Sequence, residues 1–142
     1  MAPGAARVGA SQAETHLTQR INRSPPKPRR GEIWYVHTPG QPDDPHQPQP
    51  ALVVSENVRN TVRDDLIVIP IFSRGRFGPT RVPIPAGAGN IPFDSVLFCE
   101  EITTVDRDFL ASGPVGPPID GLLMDEVVRA IRRAGGEVVP EP

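Results

Sequence analysis

The sequence holds a single cysteine, Cys99, so no internal disulfide is available to brace the fold. That scarcity points to a reducing, cytoplasmic setting. No apolar run approaches the ~20 residues of a membrane-spanning helix. The first residues carry no apolar stretch of the kind a secretion signal needs. The chain is also poor in acid where it is rich in arginine. Between Leu66 and Phe93 there is no Asp or Glu, yet Arg74, Arg76 and Arg81 all fall there. The net charge of −2 announces no polyanionic partner, but this one strip is locally positive. His16, His37, His46 and Cys99 lack the spacing of a metal-ligand set, so neither metal nor cofactor is expected.

What is present is turn chemistry and short apolar runs. Nineteen prolines and thirteen glycines punctuate 142 residues. Residues 1–28 are small, polar and prolyl, ending in the run Ser24–Arg30. They read as a disordered extension. Ser11 and Glu14 also have the spacing of a capping box for a short helix carrying Leu17 and Ile21. Residues 29–136 read as the folded domain and 137–142 as a C-terminal tail.

Within the domain, strands are expected over Glu32–His37, Ala51–Ser55, Leu66–Phe72, Arg81–Ile84 and Ser95–Glu100, followed by Ile102–Val105 and a turn at Asp106–Asp108. Thr38–Pro50, with prolines at 39, 42, 45, 48 and 50, reads as an exposed loop. Glu56–Asp65 is polar and suits a turn or a short helical stretch. Pro70 places the third strand at an edge or a bulge. Asp120 suits a helix N-cap, Leu123, Val127 and Ile131 repeat at four-residue spacing, and Gly135-Gly136 ends the helix. The pattern is mainly β with a C-terminal helix, a small antiparallel barrel or sandwich.

Six segments then line up in order. Arg30-Gly31-Glu32-Ile33-Trp34 resembles the opening of the MazF/PemK/Kid toxins. Pro50–Ser55 resembles their RPxLVVS strand, Ile69–Ser73 their PxTS strand end, Asp94-Ser95-Val96 their DSV segment and Glu101–Asp106 their EQIRTID segment. The helix containing Met124–Val127 falls where that family has one. The resemblance covers residues 30–134. It implies an SH3-like barrel of about five strands, usually a homodimer. It implies metal-independent cleavage of single-stranded RNA by 2′-OH attack, as the toxin of a type II toxin–antitoxin pair blocked by a cognate antitoxin.

The residues that resemblance assigns to chemistry are partly changed. The arginine before the strand's proline is Gln49 here, and the threonine of the PxTS end is Phe72, leaving Ser73. In the Kid branch an arginine and an aspartate flank a cysteine; here those positions are Phe98 and Glu100. His46 is the candidate for the Kid loop histidine. The catalytic candidates are therefore Gln49, Ser73, Glu100 and His46. The RNA-binding candidates are Arg30, Arg74, Arg76, Phe77 and Arg81. Each has a structural counterpart: Glu100 could simply pair with a surface arginine, the arginines solubilise a turn, and Trp34 belong to the core. Losing a charged contact to a transferring phosphoryl group costs several kcal/mol. An impaired RNA- or antitoxin-binding module is thus the alternative to an active ribonuclease, with a gyrase inhibitor third.

Overall fold

A computed structural model describes residues 27–37 and 47–141. The capping box at Ser11 and Glu14, and His46, lie outside these residues. The elements run β1 (Ile33–Val36), β2 (Gln49–Val53), α1 (Asn57–Val62), β3 (Asp65–Phe72), β4 (Arg81–Ile84), β5 (Ser95–Phe98), β6 (Thr103–Asp106), β7 (Leu110–Ser112) and α2 (Gly121–Ala134). All seven strands join one antiparallel sheet in the order β4-β5-β3-β2-β1-β7, with β6 beside β3. The sheet curls without closing. No helix among the described residues is long and apolar enough to cross a membrane.

Both faces of the central strands are buried, which is why these strands read as continuous apolar runs rather than strict alternations. Ile33, Leu52, Ile69, Ile71 and Leu97 face one cluster, where Val127 and Ala130 of α2 pack. Trp34, Ala51, Val53, Leu66, Val68 and Val105 form a second cluster on the other side. Asp120 caps α2 by accepting from the Leu123 N–H at 2.8 Å. Glu56 caps α1 through both carboxylate oxygens, to Val58 N and Arg59 N at 3.0 Å each. Residues beyond α2 fold back on it, with Arg133 donating to the carbonyls of Val139 and Pro140.

Three expectations change. The third strand is not an edge: β3 pairs with β2, β5 and β6. Its proline is tolerated because backbone groups alternate sides along a strand. The Ile67 carbonyl accepts from Val54, so odd residues of β3 face β2 and Pro70 faces the other way. There the pairing of β3 with β6 reaches only to Val68 and its pairing with β5 only from Ile71 onward, so the missing donor meets a gap. Second, the prolyl loop ends sooner than expected, because Gln49 and Pro50 already pair with Val36 and Tyr35. Third, β5 stops at Phe98, and Cys99–Glu101 forms a 3-10 turn rather than more strand.

Candidate active site

The start of β2 and the end of β3 meet because the two strands are antiparallel, with Ala51 opposite Pro70. Pro50 therefore stands opposite Ile71 in a pair that would exchange hydrogen bonds, but proline has no N–H to give. The side-chain amide of Gln49 fills that vacancy, Nε2 donating to the Ile71 carbonyl at 3.3 Å. Just beyond, Phe72, Ser73 and Arg74 leave the strand. Gln49, Pro50, Ile71, Phe72, Ser73, Arg74 and Phe93 line an open cavity of about 610 Å³. Arg74 is exposed and has no ion pair among the described residues. Three of the sequence candidates, Gln49, Ser73 and Arg74, thus share one concavity. Ser73 and Arg74 also border a second cavity of about 400 Å³ on the outer side of β4 and β5.

A second group of side chains is built on the β4–β5 pairing. Arg81 stands opposite Phe98 in register. Its guanidinium lies 3.7 Å over the Phe98 ring, a cation–π contact. The same group donates Nε and Nη2 to Glu100 Oε2 at 2.9 and 2.7 Å. Thr80 donates its hydroxyl to the other oxygen, Oε1, at 3.0 Å. These hydrogen bonds, led by that from Arg81, hold the Glu100 carboxyl below its ordinary range. Phe98 in turn touches Phe72, with ring centroids 4.3 Å apart and planes tilted by 41°. The Phe72 ring therefore links the cavity wall to the Arg81–Glu100 pair.

The other candidates lie as follows. Arg76 and Phe77 sit on the exposed loop between β3 and β4, and Phe77 is 72% exposed. The Arg76 carbonyl accepts from Arg81 Nη1 at 3.4 Å, while its side chain has no ion pair among the described residues. Arg30 is not brought to this region. Its guanidinium donates to the Val54 carbonyl and its backbone N–H to Asn57 Oδ1 at 2.7 Å, at the opposite end of β2. Five residues of strand, roughly 16 Å, separate that end from Gln49.

Phe98 and Gly75 carry no local sequence signal that marks them for the site. A Cβ on Gly75 would fall 2.5 Å from the Phe98 ring, so the loop lies flat against it. Neither role is visible without the register that sets Arg81 opposite Phe98. Cys99 is fully buried, and burial followed by the nearby Glu100 charge pushes its thiol up to about 12.

The chain matches the family described as PemK-like, MazF-like toxins of type II toxin–antitoxin systems over residues 29–134. No curated protein matches its sequence. Among solved structures it is similar to an endoribonuclease from a mycobacterial species, with TM-score 0.66 and 21% identity over 83% of this chain and 100% of that one. A mycobacterial endoribonuclease in complex with its cognate antitoxin gives TM-score 0.64 and 23% identity, over 80% of this chain and 99% of that one. A MazE–MazF complex from Deinococcus radiodurans contributes a match of TM-score 0.64 and 22% identity, over 80% and 100% of the two chains. Those likenesses share the curled antiparallel sheet with its C-terminal helix, and the family match extends from before β1 to the last residue of α2. This chain belongs to the PemK-like, MazF-like toxins of type II toxin–antitoxin systems.

Proposed function

We propose that this toxin is a metal-independent, sequence-selective endoribonuclease acting on single-stranded RNA in the cytoplasm, as a homodimer restrained by a cognate antitoxin. The domain would span residues 29–136. The observation that carries the reading is the shared concavity of Gln49, Ser73 and Arg74, with the exposed Arg74 guanidinium at its rim. Similar structures named endoribonuclease, one of them bound to its antitoxin, support it.

In this mechanism the RNA 2′-oxygen bonds to the adjacent phosphorus while the bond from phosphorus to the 5′-oxygen breaks. The products are a 2′,3′-cyclic phosphate and a 5′-hydroxyl. Arg74 neutralises charge on the non-bridging phosphoryl oxygens and the Ser73 hydroxyl donates to them. Glu100 or His46 takes the 2′-hydroxyl proton, and the leaving 5′-oxygen takes a proton from solvent water, whose hydroxide the protonated base neutralises. Glu100 is held ionised by Arg81, which suits an acceptor rather than a donor. Arg76, Phe77 and Arg81 extend the basic face along the RNA, with Phe77 exposed for stacking on a base.

One observation favours a second reading, an RNA- or antitoxin-binding module without turnover. The Gln49 amide is already spent on Ile71 and the Glu100 carboxylate on Arg81 and Thr80. Incubating purified protein with a long single-stranded RNA in excess EDTA, then analysing fragment ends, separates the two. Discrete fragments with cyclic-phosphate ends are expected. Intact RNA beside protein that is folded and binds RNA would replace the ribonuclease by the binding module.

A further inference from the structure

The cavity of about 400 Å³ on the outer face of β4 and β5 has no part in the chemistry above, yet it shares Ser73 and Arg74 with the cavity that does. Its walls are apolar and stiff: Pro83, Pro85 and Val96, with Phe77 exposed at the rim. A phosphate or sugar gains little from such walls, whereas a flat heterocycle can shed water against them. Among the described residues one acidic side chain lines it, Asp94. Asp94 Oδ1 accepts from the Ala86 N–H at 2.9 Å, which fixes the side chain. Oδ2 has no partner among the described residues.

A carboxylate beside a basic strip is misplaced for gripping the RNA backbone, because it repels phosphate. It is well placed for a base edge, where an ionised carboxylate only accepts hydrogen bonds. Guanine is the base that offers two adjacent donors, N1–H and the N2 amino group, on its Watson–Crick edge. Uracil offers one donor flanked by acceptors, which the carboxylate would oppose. We propose that this cavity is a base-selecting pocket that takes an unstacked guanine next to the phosphate held at Arg74, with Asp94 reading its Watson–Crick edge and Phe77 stacking on its face. This rests on the ribonuclease or RNA-binding reading above, and sets its sequence selectivity.

The test measures binding, and cleavage where it occurs, on short single-stranded RNAs that differ only in having G, A, C or U at each position in turn. The wild-type protein is expected to prefer guanine at one position by about tenfold or more. Asp94→Asn keeps an oxygen for Ala86 and replaces the free acceptor with a donor. It is expected to erase or invert that preference while the thermal midpoint stays put. Phe77→Ala, at an exposed position, is expected to weaken binding to all four RNAs without changing their order. Selectivity that ignores guanine, or that survives Asp94→Asn in a folded protein, would overturn the pocket while leaving the RNA reading intact. Wild-type protein that neither binds nor cleaves any of the RNAs would overturn both.

Discussion

Arg81 and Phe98 face each other across the β4–β5 ladder, and the guanidinium of one rests 3.7 Å above the ring of the other while gripping Glu100. A position that lacks a cation of its own, Phe98, is thereby covered by the cation of its cross-strand partner. The arrangement has consequences for titration, for the loop above it and for the chemistry beside it.

Glu100 is the first group to test. Its carboxyl is held below the ordinary value of 4.5, chiefly by the hydrogen bonds from Arg81. A depressed acid stabilises the folded state above its unfolded pKa, and that contribution is lost as pH falls through the folded value. The pair should therefore survive acidification to about pH 4.5 and give way below it. In Arg81→Met the Glu100 carboxyl should titrate higher, towards the ordinary value, in a carbon-detected NMR titration. Because both side chains are about a third exposed, the stability lost should stay under about 1 kcal/mol. An unmoved Glu100 midpoint would show that Arg81 is not what holds it.

Gly75 tests the contact between the loop and the ring. A methyl group there would meet the Phe98 ring at 2.5 Å, so Gly75→Ala must displace the ring from Phe72 and Arg81. RNA cleavage or binding by Gly75→Ala should fall by about tenfold or more, since a misplacement of ~1 Å can cost a hundredfold. Gly78→Ala, with nothing within 4 Å of its added Cβ, is the control and should behave as wild type.

Position 49 tests the missing charge. Gln49→Arg supplies a guanidinium where this chain has only a neutral amide. Its several donors can still serve the Ile71 carbonyl. Cleavage should rise by about tenfold or more over wild type under single-turnover conditions. A fall in rate would show that Arg74 already meets the charge requirement and that the larger side chain obstructs the cavity.

Cys99 should be inert in the native protein. It is fully buried and its thiol is pushed up to about 12, so little thiolate is present at pH 8. Iodoacetamide at pH 8 should label it only after denaturation. Fast labelling of the folded protein would contradict this burial.

Much of this architecture is written locally. The α2 helix follows from Asp120, the four-residue spacing of Leu123, Val127 and Ile131, and the closing glycines. β4 falls where its short apolar run lies. β7 leaves no local signal, because Leu110–Ser112 is three residues long and only its pairing with β1 makes it a strand. Pro70 does not mark an edge, because a proline excludes one hydrogen bond on one side, not a whole strand, and only the neighbours reveal which side is vacant. The candidate site was legible as residue types. Gln49, Ser73 and Arg74 could be named, but their convergence depends on the register between β2 and β3. The Arg81–Phe98–Glu100 cluster needed the same kind of pairing, whereas Arg30 matched a motif and turned out to brace the far end of β2.

The hydrogen bond from Gln49 to the Ile71 carbonyl also bears on how this chain can change over evolutionary time. Proline at 50 strips a donor from the floor of the cavity, and the amide at 49 covers the exposed acceptor. An uncovered carbonyl oxygen there would turn its negative end towards any anion entering the cavity. Positions 49 and 50 thus act as one structural unit. A replacement at 49 that cannot donate should be tolerated only where position 50 has ceased to be proline, and the two should drift together through the lineage.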